Sequence, residues 1–135
     1  MSKFFIDTDV CLDLLANRMP YSNAAQLLFS QADKGTIQLH VSALTFANLD
    51  YILKSTYKIR DVRIILSKFK TLVKVLPVTG KVIELALTSD FVDFEDSIQY
   101  YTCIQARIST LLTRNLKDFK KAKINIMTPD MYLKT

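Results

Sequence analysis

Short apolar strand patterns alternate with amphipathic helical patterns along the whole chain, and no other feature limits the fold as much. The strands read Lys3–Ile6, "IQLHV", "VKVLPV", "STLLT" and "INIMT". A helix is expected from about Asp9 to Asn17, with Leu12, Leu14 and Leu15 facing inward, and "NRMPYSN" breaks it. Ser22 or Asn23 can cap the next helix, "AAQLLFSQADK", which Gly35 ends. Ser42 caps a long helix through about Tyr57. "IRDVRIILSKFKTL" spaces Ile59, Val62, Ile65, Leu66 and Phe69 as a further helix does. Thr79 begins the helix "GKVIELALTS". The acidic loop "DFVDFEDS" leads into the helix "IQYYTCIQAR". "RNLKDFKKA" reads as a loop or short helix, and "PDMYLK" as a last helical turn. This order predicts one three-layer α/β/α domain over residues 1–135, with a central, mostly parallel sheet flanked by helices. Such a fold places its functional site at the carboxyl ends of the strands, near a switch in strand order.

Composition removes several function classes. Half of the 135 residues are hydrophobic and only two are glycine, which suits a packed domain with short loops. The longest apolar runs fall far short of the ~18 residues that span a bilayer. The start "MSKFFIDTDV" meets acid too early for a signal peptide. Cys11 and Cys103 lack zinc-site spacing and read as buried thiols. The expectation is a cytoplasmic protein with no membrane association. His40, the one histidine, lies inside a strand and reads as structural, which leaves no serine–histidine triad. The net charge is +5, and a basic chain that clusters its acids is suited to phosphate chemistry.

The acids do cluster, at the strand ends. Asp7, Thr8 and Asp9 follow the first strand. Ser42, Thr45 and Asn48 follow the second. Asp93, Glu95 and Asp96 open the helix before "STLLT", and Thr113, Arg114, Asn115 and Asp118 follow that strand. Any one of these has a plain explanation as a helix cap or a solvated pair. Four distant segments converging on one rim point instead to a site for a divalent cation. Hard oxygen ligands favour Mg²⁺ or Mn²⁺, and such an ion can lower the pKa of water and stabilise charge on a phosphoryl group.

"FFIDTDVCLDLL", "VSALTFANLDYIL", "DFEDSIQYYTCIQA" and "LLTRNLKDF" stand in the order and spacing of a PIN domain. The chain resembles the small bacterial PIN proteins of the VapC-like toxin group over nearly its whole length. "DFEDSIQ" followed by "TRNLKDF" is the most specific part of the likeness. The resemblance implies a Mg²⁺- or Mn²⁺-dependent ribonuclease that hydrolyses RNA phosphodiesters with metal-activated water. It also implies the toxin role of a type II toxin–antitoxin system, with a cognate antitoxin and a homodimer. By position it assigns Asp7, Asp96 and Asp118 as catalytic and metal-binding acids. Asp93 matches an accessory acid at the metal, and Thr113 and Asn115 match the polar residues of "TRN". The second family acid falls on Asn48, whose amide oxygen brings no charge. Asp9, where many relatives carry Asn, can restore one charge. Asp50 lies roughly 200° around the helix from Asn48 and cannot substitute for it. RNA contacts are expected from Arg114, Lys117, Lys120 and Lys121, with Lys123 alongside.

Two other readings are compatible with these residues. A PIN module with Asn48 in its site can hold RNA or an antitoxin without cutting. "DTDV" also suits a haloacid-dehalogenase-like phosphatase, but Cys11 stands where that motif wants Thr or Val, and no Gly-rich acidic turn follows.

Overall fold

The computed structural model describes all residues, 1–135. Five strands form one sheet: β1 (Ser2–Ile6), β2 (Ile37–Ser42), β3 (Lys74–Leu76), β4 (Thr110–Leu112) and β5 (Asn125–Met127). Their order is β3-β2-β1-β4-β5, and every pairing is parallel. Seven helices connect and cover them: α1 (Thr8–Leu15), α2 (Ser22–Asp33), α3 (Ala43–Ser55), α4 (Val62–Lys70), α5 (Gly80–Leu87), α6 (Phe94–Gln105) and α7 (Pro129–Leu133). A 3₁₀ turn at Leu116–Phe119 follows β4. The expected three-layer α/β/α arrangement is therefore the one observed.

The two-residue period of the strands sorts the core into two faces. Phe4 and Ile6 of β1 enter a large cluster with Leu39 and Val41 of β2 and Leu112 of β4. Val10, Leu28, Leu49, Leu66 and Phe69 cover that face from α1, α2, α3 and α4. Phe5 points the other way and packs with Leu111, with Tyr100 and Cys103 of α6, and with Phe119 of the 3₁₀ turn. Both cysteines are buried free thiols, and burial raises both pKa values, that of Cys103 to about 12. His40 is buried within β2 and paired across to Phe5 and Lys74, and burial together with Lys3 and Lys74 lowers its pKa. No helix is long and apolar enough to cross a membrane.

Three local expectations fail. The helix after "NRMPYSN" has Tyr21 at its cap position with no side-chain cap, because the Ser22 hydroxyl donates instead to Met19 Sδ. The third helix stops at Ser55, short of Tyr57. The fourth starts only at Val62, so Ile59 lies outside it: Lys58 and Asp61 take left-handed backbone conformations, φ 54° and 56°, which an α-helix cannot include. Ser42 and Thr79 do cap α3 and α5, accepting from the backbone N–H of Thr45 and Val82 at 3.2 Å. Each such cap is worth about 1 kcal/mol.

β1 lies between β2 and β4, so the strand order reverses at its carboxyl end. Connections leave on opposite sides there, and a crevice opens between them. Asp7 is the residue that follows β1.

Candidate active site

Asp7 is 3 % exposed and occupies the cap position of α1, yet its side chain does not cap that helix. Its carboxylate is held from two other elements. Gln99 Nε2 donates to Oδ1 at 2.9 Å, and the Thr113 hydroxyl donates to Oδ2 at 2.7 Å. Gln99 is itself fixed, since its Oε1 accepts from the Thr8 backbone N–H at 3.0 Å and the Thr8 hydroxyl at 3.3 Å. The Thr8 hydroxyl also meets Thr45 Oγ1 at 3.0 Å, which ties α1 to the start of α3. Asp7 is thus a carboxylate locked in place at the centre of the crevice. Burial raises its pKa to about 6, opposed by the Thr113 and Gln99 hydrogen bonds and reinforced by Asp9 and Glu95.

Asp96 lies in the first turn of α6, where its backbone N–H is capped by Asp93 Oδ1 at 2.9 Å. Asp93 therefore acts as a helix cap as well as a nearby charge. Burial raises the Asp96 pKa to about 8, with further contributions from Asp7, Asp93, Asp118 and Glu95. These five carboxylates share one locality, and none makes an ion pair with a lysine or arginine. In a chain of net charge +5 that is a concentration of acids without ion-pair partners. Glu95 lies in the same first turn of α6; burial raises its pKa, opposed by the Asn48 and Thr8 side chains and reinforced by Asp93 and Asp9.

The remaining acids have partners. Arg18 Nη2 donates to Asp9 Oδ1 at 3.2 Å, and Asn115 Nδ2 donates to Asp9 Oδ2 at 2.9 Å. Asp13 is buried on α1 between two guanidinium groups, Arg18 Nε at 2.8 Å and Arg114 Nε at 3.0 Å. Arg114 also lies 4.1 Å over the Tyr21 ring. Its guanidinium thus locks the "TRN" loop to α1 and to the segment before α2. On the outer side, a cleft of about 260 Å³ brings Asp93, Asp96 and Asp118 together with Lys117, Lys120 and Lys121. All three lysines are exposed.

No three His, Cys, Asp or Glu side chains are already drawn into a cage that could hold a metal ion. The donor set nevertheless fits a hard divalent cation. It consists of carboxylates with an amide and hydroxyls at the edge, and their mutual repulsion is relieved by positive charge and by no protein cation. The proton that Asp96 retains near neutral pH is the substitute.

That linkage fixes a pH dependence. Asp7 and Asp96 have folded pKa values raised to about 6 and about 8 from 3.8, so the folded state binds more protons than the unfolded one in between. Their contribution to stability is present below about pH 4 and is lost as pH rises toward about 8. Thermal melts of metal-free protein should therefore show this loss over that window, and saturating Mn²⁺ should reduce it most at the alkaline end. Melting temperatures with no such dependence would contradict the placement of these acids.

Of the residues the sequence singled out, Asp93, Asp96 and Asp118 line one cleft, the charge of Asp7 raises the Asp96 pKa further, Thr113 holds Asp7 directly, and the Asn48 side chain opposes the rise in the Glu95 pKa. The sequence reading missed Gln99 and Asp13. Gln99 lies three residues after Asp96, on the same helical face, and that spacing was an available signal.

The PIN-domain family model matches residues 3–117. The chain belongs to the PIN-domain family. No curated protein sequence matches it at a significant level. Solved structures share its fold. A chain of DNA-bound VapBC from Salmonella typhimurium is 20% identical, with 96% of this chain and 99% of that one covered and a TM-score of 0.70. A toxin–antitoxin complex from Klebsiella pneumoniae contains a chain 23% identical, with coverage of 96% and 98% and a TM-score of 0.66. VapC20 of Mycobacterium tuberculosis, described as a sarcin–ricin loop cleaving toxin, is 18% identical, with coverage of 80% and 86% and a TM-score of 0.65.

Proposed function

We propose that this protein is a Mg²⁺- or Mn²⁺-dependent ribonuclease and the toxin of a type II toxin–antitoxin pair. The observation that carries the reading is the group of Asp7, Asp93, Glu95, Asp96 and Asp118, gathered at the strand-order switch with no cationic partner. PIN-domain membership and the likeness to VapC-type chains support the choice of RNA as substrate and an antitoxin as partner. A homodimer, implied by the resemblance of the sequence to its family, is part of the proposal, and light scattering of the purified protein would test it.

Asp7, Asp96 and Asp118 would hold the ion, with Asp93 at the edge. A bound divalent ion supplies a lowered pKa for water and charge stabilisation at the phosphoryl group. The chain's own residues do the rest. Gln99 and Thr113 fix Asp7, so the arrangement keeps one rigid ligand. Asp96, once deprotonated, presents a carboxylate to the cleft, and Asp118 lies on its exposed rim. Lys117, Lys120 and Lys121 line the same cleft and attract the RNA backbone. Arg114 positions the loop that carries Asn115 and Asp118, since its charge is engaged by Asp13 and Tyr21. Asp7 is buried and accepts two hydrogen bonds, which leaves it poorly placed to be the nucleophile of a phosphatase.

Purified protein incubated with an RNA panel in Mn²⁺, Mg²⁺ or EDTA tests the proposal. Cleavage in metal and none in EDTA is expected; binding of RNA without cleavage under all conditions would favour the non-cutting module. A second expectation concerns the lysines. Replacing Lys117, Lys120 and Lys121 together by alanine should reduce the salt slope of RNA binding by about 2–3, because each phosphate contact contributes roughly 0.7–0.9. An unchanged slope would place the RNA elsewhere.

A further inference from the structure

The positive charge of the chain is concentrated in one segment. Residues 54–74 hold seven of the 18 lysines and arginines and one of the 13 acids, so this segment carries +6 and the rest of the chain −1. Folded, it is the end of α3, all of α4 and the start of β3. α4 buries Val62, Leu66 and Phe69 in the core and leaves its bases outside. Lys58, Arg60, Arg63, Lys68, Lys70 and Lys74 are all exposed, and none makes an ion pair; only Lys54 does, with Asp50. These bases form a track with one end beside the acidic cluster. Tyr57, next to Lys58, accepts from Arg18 Nη1 at 3.4 Å, and Arg18 also holds Asp9 in the first turn of α1. α4 then runs for about 13 Å. At its far end Lys70 and Lys74 line a cleft of about 530 Å³ with Met1, Gly35 and Ile37, and no acid lines that cleft. We propose that this track is a second binding surface for the RNA backbone, along which a long substrate leaves the active centre. The inference rests on the ribonuclease reading above and adds where the substrate lies beyond the scissile phosphate.

Helix stability does not account for these bases. Lys68 and Lys70 lie in the last turn of α4, where the helix dipole favours them. Arg63 lies in its first turn and Lys58 and Arg60 precede it, where the dipole opposes positive charge. Asp61 is the only acid of the segment, and it pairs with none of them. Like charges this close repel one another, and a row of phosphates relieves that repulsion. The character of the surface decides between nucleic acid and an acidic protein. A phosphate backbone is held by charge alone along an exposed helix, whereas a protein partner needs large apolar or aromatic anchors. α4 exposes one large apolar side chain, Ile64, among its bases.

The test is fluorescence anisotropy in EDTA over a range of salt, with an RNA of about 30 nucleotides and one of about four. Arg63, Lys68, Lys70 and Lys74 are replaced together by Gln, with folding checked by circular dichroism. For the long RNA the affinity at low salt is expected to fall by at least about 10-fold and the salt slope by about 3, at roughly 0.7–0.9 per lost phosphate contact. The short RNA should bind, and in Mn²⁺ be cleaved, as with the native chain, because it does not reach along α4. A charge-keeping variant, Arg63→Lys with Lys68→Arg and Lys70→Arg, should match the native chain. Should the fourfold variant fail to fold, Arg63→Gln with Lys70→Gln is expected to lower the slope by about half as much. An unchanged slope and affinity for the long RNA would overturn the proposal, and the ribonuclease reading would stand if the native chain still cuts the short RNA. Equal losses for both RNAs would also overturn it, since α4 would then act only through the field of the whole protein. Binding of polyglutamate that depends on these four bases, with RNA binding unchanged, would assign the surface to an acidic protein instead. If the native chain binds the long RNA through α4 but cuts neither RNA in Mn²⁺ or Mg²⁺, the ribonuclease reading falls and the binding surface stands.

Discussion

An Asp96→Asn protein is expected to cleave RNA about 100-fold more slowly than the native chain, or worse, and yet to melt at a higher temperature at pH 8 without metal. The two effects have one cause. Burial disfavours the charge of Asp96, and Asp7, Asp93, Asp118 and Glu95 disfavour it further, none of them held in an ion pair. An amide of the same shape removes that repulsion and also removes a metal ligand. The gain should shrink as pH falls toward 3.8 and vanish below it, where the carboxyl is protonated in both folded and unfolded chains and resembles the amide. One effect opposes it, since a negative charge in the first turn of α6 is favoured by the helix dipole by about 0.3–1 kcal/mol. Parallel melts and RNA-cleavage rates for the two proteins at pH 4.5, 6 and 8 would check this. A loss of stability at pH 8, with activity retained, would mean that Asp96 is an ordinary helix-terminal acid.

The largest stability effect is expected at Asp13. Its carboxylate is buried between Arg18 and Arg114, each about one-fifth exposed. Asp13→Ala leaves two guanidinium groups facing a void, Arg114 with no counter-charge and Arg18 with Asp9 alone. Removing one partner of a fully buried pair costs roughly 3–5 kcal/mol; partial exposure of both arginines lowers this, and we expect about 2–4 kcal/mol. In a domain of this size that is a fall in melting temperature of roughly 6–15 °C. Cleavage should fall as well, because Arg114 no longer anchors the loop that bears Asn115 and Asp118. Thermal unfolding of Asp13→Ala beside Arg114→Ala and the double variant measures the coupling directly. Additive losses would show that the Asp13–Arg114 contact contributes nothing.

What the sequence made legible follows the range of the interactions involved. The caps at Ser42 and Thr79 are chosen by residues three positions apart, and they form as expected. The strand ends and their acids were visible because strand length, helical spacing and acid position lie in one contiguous segment. Asp7 at the end of β1 is the clearest case. Ile59 was misread because its hydrophobic spacing continues the helical pattern, while the backbone turns left-handed at Lys58 and Asp61. Arg114 read as a phosphate contact because its true partner, Asp13, lies 101 residues away. Asp13 did leave a trace, as a lone acid in the apolar run "CLDLL".

The most direct measurement is anomalous diffraction from crystals soaked in Mn²⁺, recorded at the manganese edge. A peak bounded by Asp7, Asp96 and Asp118 is the expected result. Crystals without a peak at that position, from protein that still cleaves RNA in the same metal, would contradict the assignment of these carboxylates as the catalytic centre.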